Sequence, residues 1–226
     1  MEEGKRLIIL LRHGERADEA PVPRRVEFSC DSDAPLTRIG LDQSELAAEA
    51  IIKLIPENCS IHLVSSPLIR CLETASKLAT PLSLPIYIEE GFGECYQIPY
   101  WNYNPFDNLH LKNDPEMIQE KLGHITLIEN SHIIRPKYTE TEEESEARIG
   151  SVFPQYLKSI TENVIIIVTH NLPLKIMTRI MGGDVSNFHS NYTLISAAYL
   201  KDDEFAIIKE FDVSHLPKSL QKPICL

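Results

Sequence analysis

Four short runs of apolar residues constrain the fold of this chain more than any other feature. The runs occupy residues 7–11, 61–64, 86–88 and 164–168, and helical or polar patterns separate them. When helices cover both faces of a parallel sheet, its strands have such continuous apolar runs, because neither face of a strand meets solvent. The runs therefore predict an α/β fold with a mostly parallel sheet.

Amphipathic patterns between the runs predict the helices. Predicted helices cover residues 41–55, 67–79, 139 to about 160, and 172–181. Pro56 is expected to end the first of them. The helix near residue 140 begins with two overlapping capping boxes, Thr139 with Glu142 and Thr141 with Glu144. Its acidic residues therefore lie where a helix dipole favours them.

Two strand-like segments, at residues 192–200 and 204–211, complete the pattern. The short polar sequence Lys201-Asp202-Asp203 joins them, which predicts a β-hairpin. Alternating strands and helices with an antiparallel end indicate a three-layer α/β/α architecture, in which helices lie on both faces of the sheet.

The domain organisation follows from the chain length and from one irregular segment. No linker-like change in composition divides the 226 residues, so we expect a single domain over residues 1–226. Residues 95–138 have no clean periodicity and are expected to form an insertion or lid over the sheet edge. Their aromatic residues favour a small satellite core over a substrate-stacking surface. These aromatic residues stand at positions 96, 100, 101, 103 and 106.

Composition argues against several classes of protein. The chain has 33 Asp and Glu against 22 Lys and Arg, and its net charge of −11 argues against a nucleic-acid-binding protein. Its five cysteines include no CxxC pair, which suits neither a disulfide framework nor a zinc site. The apolar run at residues 7–11 is too short to cross a membrane. We therefore expect a cytoplasmic protein without membrane contact and without a metal or cofactor.

Charged side chains follow three of the predicted strands where each strand ends. The carboxyl ends of parallel strands meet at one edge of a sheet, and ligands bind there. Three guanidinium groups at one place require an anion between them, and arginine matches phosphate oxygens bidentately. A neutral imidazole attacks phosphorus when its other ring nitrogen is held. The sequence thus predicts a phosphate site that brings together Arg12, His13, Arg16, Arg70 and His170.

The motifs around these residues resemble those of one known family. They are Leu11-Arg12-His13-Gly14-Glu15-Arg16, Pro35-Leu36-Thr37 with Gly40 and Gln43, Ser65-Ser66-Pro67-Leu68-Ile69-Arg70 with the following Cys71-Leu72-Glu73-Thr74-Ala75, and Val168-Thr169-His170. Together they resemble the histidine phosphatase superfamily, whose fold is phosphoglycerate-mutase-like. The longer form of the first motif, which runs from Arg12 to Asp18, is most similar to the suppressors of T-cell receptor signalling and the ecdysteroid-phosphate phosphatases.

The resemblance implies a role for each charged residue at the strand ends. His13 would be the nucleophile that becomes phosphohistidine. Arg12, Arg16, Arg70 and His170 would hold the phosphoryl oxygens.

The resemblance also implies a carboxylic acid that protonates the leaving oxygen and later activates water. In the relatives this acid ends a stretch similar to residues 88–94, which indicates Glu94, with Glu89 as the second candidate. Two positions beside the pocket differ from the family pattern. They are Cys95, which replaces a tryptophan, and Asn171, which directly follows the second histidine. Asn171 is also one of the expected substrate-binding residues.

The leading hypothesis is a metal-independent phosphomonoesterase that acts on a phosphorylated small molecule or a phosphoprotein. A phosphoglycerate-mutase-like mutase or a sugar bisphosphatase would use the same residues and stays an alternative. A phosphate-binding module without turnover is a third hypothesis, from another class. Arg24 and Arg25 are expected to be exposed loop residues without a function. The alternative is that they contact a second negative group of the substrate. Because relatives often dimerise, the resemblance also suggests a homodimer.

Overall fold

The sheet is the centre of the fold. A computed structural model describes residues 2, 4–22, 27, 30, 32–97, 102–129, 135–186 and 188–221. Seven strands lie within these residues: β1 (Arg6–Arg12), β2 (Ile61–Ser65), β3 (Ile86–Ile88), β4 (Leu127–Glu129), β5 (Val164–Thr169), β6 (Ile195–Lys201) and β7 (Glu204–Asp212). They form one sheet in the order β4-β3-β2-β5-β1-β6-β7.

Six α-helices connect the strands within the same residues. They are α1 (Arg38–Ile52), α2 (Ile69–Leu82), α3 (His110–Asn113), α4 (Pro115–Leu122), α5 (Glu142–Ser159) and α6 (Asn171–Ile180). None of the helices in the described part of the chain is both long enough and apolar enough to span a bilayer.

The strand directions confirm the predicted mostly parallel α/β sheet. Strands β1, β2, β3, β4 and β5 run parallel to one another, and β6 pairs antiparallel with both β1 and β7. In the register, Arg12 is opposite Thr169 and Ser65 is opposite Val168. The carboxyl ends of β1, β2 and β5 therefore lie side by side at one edge.

Strand β1 shows why its apolar run is continuous. Leu7, Ile9 and Leu11 pack into a core with α1 and α2, whereas Ile8 and Leu10 pack into a second core with α5 and α6. All five side chains are completely buried. Helices thus cover both faces of the sheet, and the three-layer α/β/α architecture is confirmed.

Several helix boundaries differ from the prediction for local reasons. Helix α1 begins at Arg38 because the Thr37 hydroxyl accepts a hydrogen bond from the Gly40 amide (3.0 Å), and it ends at Ile52, before Pro56. Helix α2 begins at Ile69 because Leu68 is extended.

Only one of the two predicted capping boxes forms. The Thr141 hydroxyl accepts from the Glu144 amide (3.1 Å), and the Glu144 carboxylate accepts from the Thr141 amide (3.0 Å). Helix α5 therefore begins at Glu142, and the predicted start at Thr139 is wrong.

The predicted hairpin joins β6 and β7. Asp202 and Asp203 both have positive φ (51° and 63°), as a tight two-residue turn between right-twisted strands requires. Strand β6 begins at Ile195 and not at Tyr192. The residues before it form a turn, in which Thr193 has a positive φ (50°), and the Arg12 amide at the end of β1 donates to the Leu194 carbonyl oxygen (3.0 Å).

The segment at residues 95–138 contains more regular structure than its pattern predicts. Helix α4 begins after Asp114, which accepts a hydrogen bond from the Met117 amide (3.1 Å), and ends before Gly123. Strand β4 then extends the sheet beside β3. Tyr96 and Phe106 pack in a separate small core, as expected of a satellite cluster, with Leu68 and Leu109. Positions 100 and 101 lie outside the described residues.

Candidate active site

The loop after β1 is fixed against the start of α1 by two glycines. A Cβ atom on Gly14 would overlap the Gly40 carbonyl oxygen, and one on Gly40 would overlap the Glu15 carbonyl oxygen. This close approach lets the Gln43 side chain accept a hydrogen bond from the Glu15 amide (2.8 Å). The motif residues around positions 14 and 40 thus hold the loop that carries His13.

His13 presents one free ring nitrogen at the carboxyl edge of the sheet. Its side chain is buried, and Nδ1 donates to the Gly14 carbonyl oxygen at 2.7 Å. Nε2 is buried and has no hydrogen-bond partner among the described residues. Burial, followed by the charges of Arg70 and Arg12, lowers the pKa of His13 well below its usual value. His13 is therefore neutral at pH 7, with the Nε2 lone pair available.

His170 lies directly beside His13. The two ring centroids are 5.3 Å apart and the ring planes are inclined by 62°. His170 is completely buried, and its Nε2 is 2.7 Å from the Ser66 hydroxyl oxygen. Burial, followed by Arg70 and His13, lowers the pKa of His170 as well. The strand ends therefore bring the two histidines together as predicted.

Arg70 places a buried positive charge at the same edge. The Asp33 carboxylate accepts from the Ile69 amide (2.8 Å) and fixes the first turn of α2, on which Arg70 stands. The guanidinium is completely buried, and none of its nitrogens makes a hydrogen bond of normal geometry to a described residue. Burial opposes the charge, but Tyr96, Cys71 and Glu94 together outweigh this effect and raise the pKa of Arg70.

Arg12 is held on the other side of His13 by the segment before β6. Its Nη1 donates to the Ser190 hydroxyl and to the Asn191 carbonyl oxygen, both at 2.8 Å. Its guanidinium lies 4.8 Å from the centre of the Tyr192 ring. These three contacts leave Arg12 Nε buried without a partner within the described residues.

Arg16 is engaged by carboxylates rather than free. Its Nε and Nη2 donate to both oxygens of Asp18, at 2.6 and 2.5 Å, and its Nη1 is 3.5 Å from a Glu19 oxygen. Burial would raise the pKa of Asp18, but the hydrogen bonds from Arg16 outweigh burial and lower it. The positive charge of Arg16 is thus already balanced.

The structure distinguishes the two candidate glutamates. A Glu94 oxygen is 3.7 Å from His170 Nδ1, and the ligand atoms of Glu94, His13 and His170 all lie within 4.8 Å of one another. Glu89 is completely buried and accepts a hydrogen bond from the Gly91 amide (2.8 Å), so it caps a short 3-10 helix. Glu94, and not Glu89, therefore has its carboxylate beside the histidines.

An open cavity of about 350 Å³ leads to this cluster. It is lined by Arg12, Arg16, Glu19, Glu94, Cys95, Gln97, Asn171, Leu172 and Ser190. A larger cavity of about 500 Å³ lies between α1, α2 and α4, and none of the predicted site residues lines it.

Sequence reasoning missed four residues near Arg12. Ser190 and Glu19 line the cavity. Ser190, Asn191 and Tyr192 contact the Arg12 side chain. The antiparallel pairing of β6 with β1 places the segment before β6 beside the first motif, where the Thr193 amide donates to the His13 carbonyl oxygen (3.2 Å). No local pattern signals this contact. Arg24 and Arg25 lie outside the described residues.

This geometry agrees with the comparison with known families. The sequence model of the histidine phosphatase superfamily (branch 1) matches residues 8–212. The chain therefore belongs to this superfamily, and the resemblance inferred from its motifs is confirmed. Its enzyme class is that of the histidine phosphatases.

One relative is similar to part of this chain. The transcription factor tau 55 kDa subunit of Saccharomyces cerevisiae is 37% identical over 93 residues, which are 40% of this chain and 21% of that subunit. The matched part thus spans about a fifth of that relative's length.

Solved structures show the shared fold. The ecdysone phosphate phosphatase of Bombyx mori superposes with a TM-score of 0.63 at 18% identity, over 91% of this chain and 92% of that one. A phosphoserine phosphatase of Entamoeba histolytica superposes with a TM-score of 0.61 at 19% identity, over 93% of this chain and 99% of that one.

Proposed function

We propose that this chain is a phosphomonoesterase that works through a phosphohistidine on His13 and needs no metal. The observation that carries the proposal is the state of His13. Its Nδ1 donates to Gly14, its Nε2 is buried without a partner among the described residues, and its pKa is lowered by burial and by neighbouring guanidinium groups. Such an imidazole is a nucleophile at neutral pH.

In the first step, the His13 Nε2 lone pair forms a bond to phosphorus. The bond between phosphorus and the ester oxygen breaks, and that oxygen takes a proton from the Glu94 carboxylic acid. Arg12 and Arg70 stabilise the charge on the transferring phosphoryl group. His170 adds a ring nitrogen next to the same oxygens, and Asn171 and Arg16 line the entrance.

In the second step, the Glu94 carboxylate takes a proton from water, and the water oxygen attacks phosphorus. The bond between phosphorus and His13 Nε2 breaks, so the ring regains its lone pair and inorganic phosphate leaves. The position of Glu94 supports both steps, because its carboxylate is within 4.8 Å of both ring nitrogens and lines the cavity through which water enters.

The charges at the site support metal independence. His13, Glu94 and His170 are close enough to hold a cation in common. However, Arg12 and Arg70 lower the pKa of both histidines, and the same positive charges oppose the binding of a cation. The arginines therefore supply the charge stabilisation that a metal ion supplies in other phosphatases.

Hydrolysis of an aryl phosphate tests the proposal. We expect turnover in the presence of EDTA, loss of turnover in His13→Ala, and normal turnover in the matched control His124→Ala, whose histidine is exposed beside α4. A mutase would hydrolyse the aryl ester slowly and would accumulate the phosphoenzyme. A module without turnover would give neither product nor phosphoenzyme, and that result would overturn the proposal.

The substrate is proposed to be a phosphorylated small molecule or a phosphoprotein. The cavity of about 350 Å³ is at the lower end of the range for small-molecule sites, which favours a compact phosphorylated group.

A further inference from the structure

The charge of the cavity changes from its inner end to its mouth. The inner end carries the guanidinium group of Arg12, which is 4% exposed, and the completely buried Arg70 lies near enough to both histidines to lower their pKa values. The mouth carries Arg16 and the carboxylate of Glu19, and the Asp18 carboxylate, which does not line the cavity, pairs with the same Arg16. Two carboxylates thus face one guanidinium group at the mouth, whereas the inner end is positive.

The Glu19 carboxylate is held in place at the mouth. One of its oxygens accepts a hydrogen bond from the Tyr192 hydroxyl at 3.0 Å, and the other is 3.5 Å from Arg16 Nη1. Burial, followed by the charge of Glu19, raises the pKa of Tyr192, so its hydroxyl stays protonated and continues to donate. The negative charge of Glu19 therefore has a defined position on the cavity wall.

Apart from the carboxylate of Glu94, the other lining residues carry no charge. Gln97, Asn171 and Ser190 line the same cavity as Glu19. Within the described residues, the cations that line this cavity are Arg12 and Arg16, and Arg16 is engaged by Asp18. The described wall therefore offers no unpaired cation for a second anionic group of a substrate.

We infer that Glu19 determines specificity and that the site prefers phosphate monoesters whose leaving group carries an ammonium group. With the phosphate between Arg12 and Arg70, the leaving group extends toward the mouth, where Glu19 attracts an ammonium group and repels a carboxylate. The inference rests on the proposed function, because it uses the same phosphate site. It separates this chain from mutases and bisphosphatases whose substrates carry a second anion.

Phosphoethanolamine and phosphoglycolate form a matched pair of probes. They have similar size and differ in an ammonium or a carboxylate group near the phosphate. Their dissociation constants are measured by calorimetry on the His13→Ala chain, so that turnover does not interfere. Because Glu19 is 45% exposed and solvent screens its charge, we expect phosphoethanolamine to bind about tenfold more tightly, and no more.

Variants at position 19 show whether this carboxylate is responsible. In the His13→Ala background, Glu19→Gln is expected to reduce the preference to about threefold or less, and Glu19→Lys to reverse it. The control Glu57→Gln removes an exposed carboxylate near the opposite edge of the sheet and is expected to keep the tenfold preference.

The possible outcomes separate this inference from the proposed function. Equal or tighter binding of phosphoglycolate overturns the inference and directs attention to Arg24 and Arg25. A preference that persists in Glu19→Gln also overturns it. Binding of inorganic phosphate without binding of either probe overturns the inference alone. Failure to bind inorganic phosphate overturns the phosphate site and the proposed function with it.

Discussion

Replacing Arg148 by methionine is expected to destabilise the protein. It is also expected to slow turnover, because Arg148 holds the residues directly before Glu94. Arg148 is 3% exposed and contacts both oxygens of Glu140, at 2.7 and 2.6 Å. It also donates to the carbonyl oxygens of Gly91 (2.5 Å) and Gly93 (3.3 Å), directly before Glu94. Removing one partner of a buried ion pair costs about 3–5 kcal/mol, because the other charge stays buried.

A second variant separates stability from positioning. In Arg148→Met with Glu140→Gln, the uncompensated carboxylate is gone, so we expect part of the lost free energy of unfolding to return. The hydrogen bonds to the two glycine carbonyl oxygens remain absent, so kcat is expected to stay low while KM changes little.

Urea unfolding and steady-state kinetics measure these two effects. The reasoning is refuted if Arg148→Met lowers the free energy of unfolding by less than about 1 kcal/mol, which is the range of exposed ion pairs. It is also refuted if the double variant recovers the kcat of the unmodified chain, because Arg148 would then have no positioning role.

Three further predictions concern the loop after β1, the histidines and the acid. Gly14→Ala is expected to abolish aryl phosphatase activity and lower the melting temperature, since a Cβ there overlaps the Gly40 carbonyl oxygen; unchanged activity would contradict the account of the loop. The lowered pKa values of His13 and His170 mean that stability is lost as pH falls below the unfolded-state value of about 6.5, by about 1.4 kcal/mol per pH unit for each histidine. Urea unfolding from pH 7 to 5 should therefore show a shallower pH dependence in His13→Ala than in the unmodified chain, and equal slopes would refute this. Glu94→Gln is expected to slow phosphoenzyme formation from alkyl phosphates by about 10²–10⁴-fold and from p-nitrophenyl phosphate less, because the latter's leaving group needs little protonation, whereas the water step slows for both; equal losses in phosphoenzyme formation would contradict the role of Glu94 as acid.

The parts of the fold that could be predicted are those with strong local patterns. The central strands β1 and β5 are buried on both faces and therefore continuous in apolar residues. Strand β4 has only three residues, none of them fully buried, and offers too short a pattern to detect. The competing caps at Thr139 and Thr141 were equal in sequence, and tertiary contacts decided between them. One such contact is the Glu140 amide donating to the Tyr96 carbonyl oxygen (3.0 Å), which fixes the chain before Thr141.

The candidate site also has residues that local sequence patterns predict and residues that only tertiary contacts bring in. Arg12, His13, Arg70 and His170 could be placed together because each follows a strand of one parallel sheet, and the carboxyl ends of such strands meet. Ser190 and Tyr192 could not, since their contacts with Arg12 depend on how a distant antiparallel strand pairs with β1. The pairing of Arg16 with Asp18 had a local signal, a spacing of two residues, that the sequence analysis did not use.

Trapping the phosphorylated intermediate tests the central claim most directly. The chain is mixed with phosphoethanolamine or p-nitrophenyl phosphate, quenched within milliseconds under alkaline denaturing conditions that preserve phosphohistidine, and analysed by peptide mass spectrometry. The account predicts one phosphoryl group on the peptide that contains His13, and none on that peptide in His13→Ala. Phosphorylation of a different residue, or full turnover by His13→Ala, would contradict it.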